Sequence, residues 1–384
     1  LLGKVFENLL AAFNPETGTT ARKQTGSFYT PREIVNYMVD ESLIASFETK
    51  LAQAVPGVTN LEPRLRHLLA YNQEPHQFDE NEAVCLITVI DAIKVLDPAC
   101  GSGAFPMGVL HKLVFILSKL DEHNHRWKQR QIDRAADIPD LSVRERVIED
   151  IEQSFDENEL DYGRKLYLIE NCIYGVDIQP IAVQIAKLRF FISLVVDQKI
   201  DPKKPNLGIR PLPNLETKFV AANTLISIDR PQQMMFRNPE IEVKEKKLKE
   251  VREAIFTART PLTKRKYREE DQKLRKEIAD LLKKDGWGSS AAARLAGWDP
   301  FNQNGSAEFF DPEWMFGIIN GFDVIIGNPP YLESRHPAFN EKLKIAYQES
   351  AKRRWNDDAK YITKGTDLLV YFFKNSIFNI SPKG

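Results

Sequence analysis

An α/β fold built on a parallel sheet, with helices on both faces, is what this 384-residue chain predicts, on three observations. Short apolar runs such as Val324-Ile325-Ile326 are unbroken rather than alternating, which marks strands covered on both faces. The runs end in abrupt turn chemistry, at Asp97-Pro98, at Asp177 and at Asn328-Pro329-Pro330. Between them lie long stretches with apolar residues three or four apart, the pattern of helices that cross from one parallel strand to the next.

The length suits one large α/β domain with insertions, or two domains. A net charge of −1 excludes a polycation, so any nucleic-acid contact must come from local basic patches. Cys85, Cys100 and Cys172 form no CxxC pair, and a reducing cytoplasm is expected. His123 and His125 stand two apart, the wrong spacing for one helix face, and no metal signature occurs. No apolar run reaches the roughly 18 residues of a membrane span. Leu1 to Leu10 carries Glu7 and helical spacing, which fits a core helix rather than a signal peptide. The start at Leu1 and the closing turn chemistry of Ser381-Pro382-Lys383-Gly384 lead to the expectation of an internal piece of a longer protein, its sheet ending after strand four.

That first helix, with Leu2, Phe6, Leu9, Leu10 and Phe13 on one face, leads to Thr25-Gly26-Ser27-Phe28-Tyr29-Thr30-Pro31-Arg32-Glu33. Here Thr30 is expected to cap a helix, with Pro31 at its first position and Glu33 at its third. Its free N–H groups suit a carboxylate or phosphate, although a plain capped helix explains the same residues. Asp79 and Glu82 form a second capping box, opening a helix with Cys85, Leu86, Val89 and Ile90 as its stripe. Strand one then runs into Asp97-Pro98-Ala99-Cys100-Gly101-Ser102-Gly103-Ala104-Phe105. Glycines at 101 and 103 let a ligand approach the backbone at the start of a long helix, as in the first crossover of a Rossmann-like fold. No Gly-Lys-Ser/Thr follows, which excludes a P-loop.

Charged residues 121–160 predict a helical hairpin inserted before strand two, which runs from Ile173 to Asp177. An acid at that tip commonly takes the two ribose hydroxyls of a nucleoside, and helix N-capping is compatible with that role. Phe219 to Leu225 predicts strand three and its loop, where Asn223 could meet an adenine edge. Over 240–285, Leu248, Val251 and Ile255, then Leu274, Ile278 and Leu281, predict two antiparallel helices around Thr260-Pro261. Their charged outer faces fit solvent or a protein partner better than DNA. An aromatic-rich return through Trp287, Trp298, Phe309, Phe310, Trp314 and Phe316 leads to strand four.

Strand four delivers Gly327-Asn328-Pro329-Pro330-Tyr331. Two prolines fix φ and forbid any continuation of ladder or helix, so the backbone leaves the sheet stiffly. An amide oxygen and a proline carbonyl can together accept both hydrogens of a planar NH2 group, while the tyrosine ring lies on the flat system bearing it. Lys342, Lys344, Lys352, Arg353 and Arg354 follow, placed for phosphates or for an exposed helix. Thr366 to Phe373 is expected to be a buried helix.

Taken in order, Thr25–Val39, Val95–Phe105, Ile173–Leu194, Ala222–Leu225, Phe322–Tyr331 and Thr366–Phe373 resemble the motifs of the N6-adenine DNA methyltransferases of the gamma arrangement. The similarity is greatest to those of type IIG restriction–modification enzymes and BREX-type phage-defence methylases. The resemblance implies a Rossmann-like class I methyltransferase sheet, S-adenosylmethionine as methyl donor, and double-stranded DNA as partner through the longer protein. By position it assigns Tyr29 and Thr30 to the methionine end of the cofactor. Asp97, Ala99, Gly101 and Gly103 fall to its amino acid and sugar, Asp177 to the ribose hydroxyls, Ile178 and Asn223 to adenine, and Phe105 joins the cofactor-binding set. Asn328, Pro329, Pro330 and Tyr331 become the catalytic corner. The implied organisation is N-terminal helices with the methionine-side loop over 1–45 and a cofactor-binding part over 46–239. A helical insertion, a possible protein contact, covers 240–298, and the catalytic-loop part covers 299–384. Methylation of a protein glutamine, of an RNA guanine or of cytosine N4 shares the corner, and a non-catalytic scaffold is the alternative of another class.

Overall fold

The computed structural model describes residues 13–14, 19–20, 30–136, 138, 141–156, 160–203, 205–209, 213–229, 238–258, 260–336, 339–355, 362–363 and 365–380. Four parallel strands form its centre: β1 (Val95–Asp97), β2 (Ile173–Asp177), β3 (Phe219–Ala221) and β4 (Val324–Ile325), in the order β3-β2-β1-β4. Val95 stands opposite both Ile173 and Val324, and Asp177 opposite Ala221. The order reverses at β1, and in open parallel sheets such a switch point opens a crevice beyond the carboxyl ends of the strands.

Strand side chains alternate between two cores, which is why the runs are apolar throughout. Val95, Ile173, Phe219, Val324 and Ile326 enter one core, while Leu96, Tyr174, Val176 and Val220 enter the other. The first core is covered by α1 (Arg32–Ala54), α2 (Leu61–Leu69), α3 (Glu80–Ala92) and α4 (Ala104–Leu120). The capping box of Asp79 and Glu82 opens α3 as expected, and Arg64 holds the same glutamate. Helix α1 packs closely on α4, where a Cβ at Gly108 would stand 2.7 Å from Val35 Cγ1.

Between β1 and β2 the chain forms α5 (His125–Ala136), α6 (Leu141–Asp156) and α7 (Leu160–Asn171). Buried Asp91 of α3 ties α5 down through Arg130, Gln131 and Arg134. Helix α8 (Pro180–Val195) returns to the first face with Ala182, Ala186 and Phe190 buried.

The charged stretch is a helical pair as predicted, α9 (Pro239–Thr257) and α10 (Pro261–Lys284), capped by Asn238 and Thr260. Leu248, Val251, Ile255, Leu274, Ile278 and Leu282 bury against the second face of the sheet, together with α11 (Ser289–Gly297) and α12 (Pro312–Phe316). Buried Asp271 accepts from Arg252 at 2.8 Å and from Arg275 at 2.6 Å, and both guanidiniums bond carbonyls of the aromatic return. The pair thus forms part of one layer of the fold.

A third, smaller core joins α13 (Glu341–Trp355) and α14 (Leu368–Asn379) to the loop after β3 through Leu225, Tyr347, Trp355, Tyr371 and Phe372. Contrary to the buried helix expected there, α14 is amphipathic, with Leu369, Val370 and Phe373 exposed. One stripe suffices because only one side of it meets the protein. After α14 a parallel bridge sets Ile380 beside Phe322, on the outer side of β4. Among the described residues no helix is long and apolar enough to cross a membrane.

Candidate active site

The tips of β1, β2 and β4 converge. Asp97 ends β1 buried, its Oδ1 accepting the Ala99 N–H at 3.0 Å; its buried Oδ2 meets no hydrogen-bond partner among the described residues. Burial pushes this carboxyl well above the usual carboxylate range, partly offset by the Ala99 N–H, and the neighbouring Asp177 raises it further. The turn that follows is held to β2 by the Cys100 N–H on the Val176 carbonyl at 2.8 Å. Gly101 and Gly103 adopt φ of +52° and +79°, left-handed backbone that favours glycine. A Cβ at 103 would also stand 3.1 Å from Ala186 Cβ, so the turn lies directly on α8. The Cys100 thiol is buried and its pKa is raised by desolvation, then by the two aspartates, which keeps it a protonated packing group.

Asp177 ends β2 and braces the turn from the other side. Its Oδ2 accepts the Gly101 N–H at 2.9 Å and its Oδ1 the Gln179 N–H at 2.8 Å. Burial raises its pKa while those two donors pull it down. Ile178 beside it is exposed, an apolar surface next to an acid at the tip of β2.

Strand β4 brings the proline corner onto this group. A Cβ at Gly327 would fall 2.5 Å from Asp97 Oδ1, so the backbone passes over the buried aspartate where only glycine fits. The next residue, half-buried Asn328, donates from Nδ2 to Thr30 Oγ1 at 3.1 Å, across 298 residues of sequence. Tyr331 is exposed at 54%. The loop beyond it is held by Asp367, whose Oδ1 accepts the Ser334 N–H at 2.7 Å, and by the Leu368 N–H on the Leu332 carbonyl at 3.1 Å.

Thr30, Asp97, Ala99, Gly101, Gly103, Asp177, Ile178 and the corner Asn328–Tyr331 therefore stand at or beside the carboxyl-end tips of β1, β2 and β4; Tyr29 lies outside the described residues. Three expectations change. Thr30 does not cap α1: Pro31 occupies the N-cap position, and the hydroxyl is engaged with Asn328 instead. Phe105 is turned into the first core, since its helix must bury that face on the sheet. Asn223 is buried with its amide committed, accepting from the Leu225 N–H at 3.1 Å and donating to the Tyr347 hydroxyl at 3.2 Å. The basic residues of α13 also serve the fold in part. Arg353 pairs with Asp229, and Arg354 donates to Asn379 Oδ1 at 2.5 Å.

Residues 171–384, more than half of the chain, match the Eco57I restriction-modification methylase family. The chain belongs to that family. The Eco57I-type methylases are methyltransferases of restriction–modification, and β2, β3, the helical pair and the proline corner all fall in the matched part. Over 402 aligned positions the chain is also 25% identical to a protein of Methanocaldococcus jannaschii that bears the name of a type II restriction enzyme and methyltransferase. The alignment takes in 90% of this chain and 31% of that relative, so the Eco57I-type chain spans about a third of its relative's length.

Proposed function

We propose that this chain carries the methyl-transfer site of a restriction–modification or phage-defence protein, acting on N6 of an adenine flipped out of duplex DNA. The observation that carries the reading is the placement of Asn328 and Gly327 against Thr30 and Asp97, at the mouth shared with Gly101 and Asp177. The residues fit S-adenosylmethionine. The orphaned Oδ2 of Asp97 is an acceptor for an ammonium, the glycine turn admits close approach, and Asp177 with exposed Ile178 suits a ribose and its base. When bound, the donor would supply an electrophilic methyl to the N6 lone pair, the C–S bonding pair leaving with sulfur and the N6 proton passing to water.

The protein's own contribution is to prepare N6. Its lone pair is delocalised into the purine ring, which makes it a poor nucleophile. Accepting both N–H bonds at Asn328 Oδ1 and at a carbonyl of the corner favours a tetrahedral nitrogen with its lone pair aimed outward. Such bonds strengthen as positive charge develops on nitrogen, so they act on the transition state more than on binding. The stiff proline corner supplies alignment, and Tyr331 supplies a face for the extruded base.

The test is transfer of labelled methyl by the intact protein to unmethylated duplex DNA, to RNA and to protein, followed by analysis of the modified base. N6-methyladenine in DNA is the expected product. Asn328→Ala should lower transfer by about a hundredfold or more while the cofactor Kd stays within about threefold. Methyl found in RNA, protein or on cytosine N4 would overturn the reading, as would undiminished transfer by the Ala variant.

A further inference from the structure

We infer that Thr30 is the positioning residue that holds the Asn328 amide with its acceptor end toward the substrate amine, by giving Nδ2 a partner in that orientation; this rests on the function proposed above. A side-chain amide has an acceptor end and a donor end of nearly the same shape. Only the acceptor end serves an incoming NH2 group, because an Asn328 turned the other way would set its own N–H bonds against those of the substrate. In the structure Nδ2 donates to Thr30 Oγ1 at 3.1 Å, and Oδ1 takes no hydrogen bond from any described residue. The acceptor end is therefore the one left for a ligand.

The hydroxyl doing this is held rigidly. Thr30 is buried, and Pro31 after it has φ −54° and gives its carbonyl to the Val35 N–H at 3.0 Å. Val35 is in turn wedged against Gly108 of α4, the helix that rises from the glycine turn. The threonine is thus fixed to the same body that carries Gly101 and Asp97, while Asn328 arrives from β4. Without the hydroxyl, Nδ2 loses its acceptor in a half-buried position, and turning Oδ1 toward the substrate leaves that donor unpaired. The consequence is a corner that presents acceptors alone, Oδ1 and backbone carbonyls. It takes an exocyclic amine and disfavours a keto oxygen at the same place on a base.

The experiment exchanges shape for chemistry in the intact protein. Thr30→Val keeps the volume and loses the hydroxyl; Thr30→Ser loses the methyl and keeps the hydroxyl. For Thr30→Val, kcat for methyl transfer to duplex DNA should fall about 10- to 100-fold, with the Kd for S-adenosylmethionine and the Tm nearly unchanged. For Thr30→Ser, kcat should stay within about threefold of wild type. If Thr30 merely shapes the cofactor pocket, the pattern reverses, with Ser impaired and Val spared, or the loss in Val appears in the cofactor Kd; either result overturns the positioning role. Full turnover by both variants, beside an active wild type, overturns it while leaving the proposed function standing. A wild type that transfers no methyl to DNA sinks the function, and the positioning role falls with it.

Discussion

At the scale of single residues, the candidate site depends on two close approaches made by groups that look unremarkable in sequence. Gly327 lies where any side chain would meet the buried Asp97 carboxyl, and Thr30 supplies one oxygen to Asn328. The near oxygen of the aspartate is buried and held by the Ala99 N–H, so Gly327→Ala is expected to displace the corner. The expected outcome is a fall in transfer of about tenfold or more, larger than the accompanying loss of cofactor affinity. Rate measurements beside calorimetry check it; equal losses in both would place the damage in the cofactor site. At Gly101 a Cβ would meet no protein atom, so the same substitution there costs the fold itself only the strain of positive φ, on the order of 1 kcal/mol.

At the scale of elements, the helical pair α9–α10 is joined to the aromatic return by a buried Arg252–Asp271–Arg275 group. Removing the shared carboxylate leaves Arg252 buried without its counter-charge and Arg275 with only the more distant Asp299, at 3.6 Å. Asp271→Ala is therefore expected to destabilise the fold by roughly 3–5 kcal/mol, measured by denaturant unfolding. A loss below about 1 kcal/mol would mean that water reaches the group and that the pair is a peripheral appendage. Because Leu248, Ile278 and Trp314 of these elements cover the second face of the sheet, the protein without them would expose the second core.

At the scale of the whole molecule, chemistry gathers at the carboxyl ends of the strands while the opposite end carries a second titratable pair. Glu170 precedes β2 and Lys218 precedes β3; burial lifts the first from 4.5 to about 7 and lowers the second from 10.5 to about 8. Between about pH 4.5 and 7 the folded state holds a proton on Glu170 that the unfolded chain has lost, so stability falls as pH rises. Between about pH 8 and 10.5 the unfolded chain holds a proton on Lys218 that the folded state lacks, so stability rises. This contribution is lowest near neutrality. In Glu170→Gln the descending limb should disappear, and the ascending limb should begin at lower pH, because Lys218 loses the carboxylate that favours its charge. Urea midpoints measured across this range decide it; identical pH profiles in both proteins would refute the assignment.

The sequence by itself determined the parallel sheet, the alternation of strand and helix, and the residues at the strand tips. Those follow from local rules: an unbroken apolar run, a glycine pair after a strand, two prolines after an asparagine. The capping box of Asp79 with Glu82 and the helical pair around Thr260-Pro261 were legible for the same reason. What only the tertiary structure decided is which of those groups meet. Spacing carries no signal for a hydrogen bond between Thr30 and Asn328, nor for the engagement of Asn223 with Tyr347, because the partners lie on elements brought together only by packing. Phe105 and α14 show the same limit from the other side: apolar residues declare that a face will be buried, and the neighbouring layers settle which face and how far.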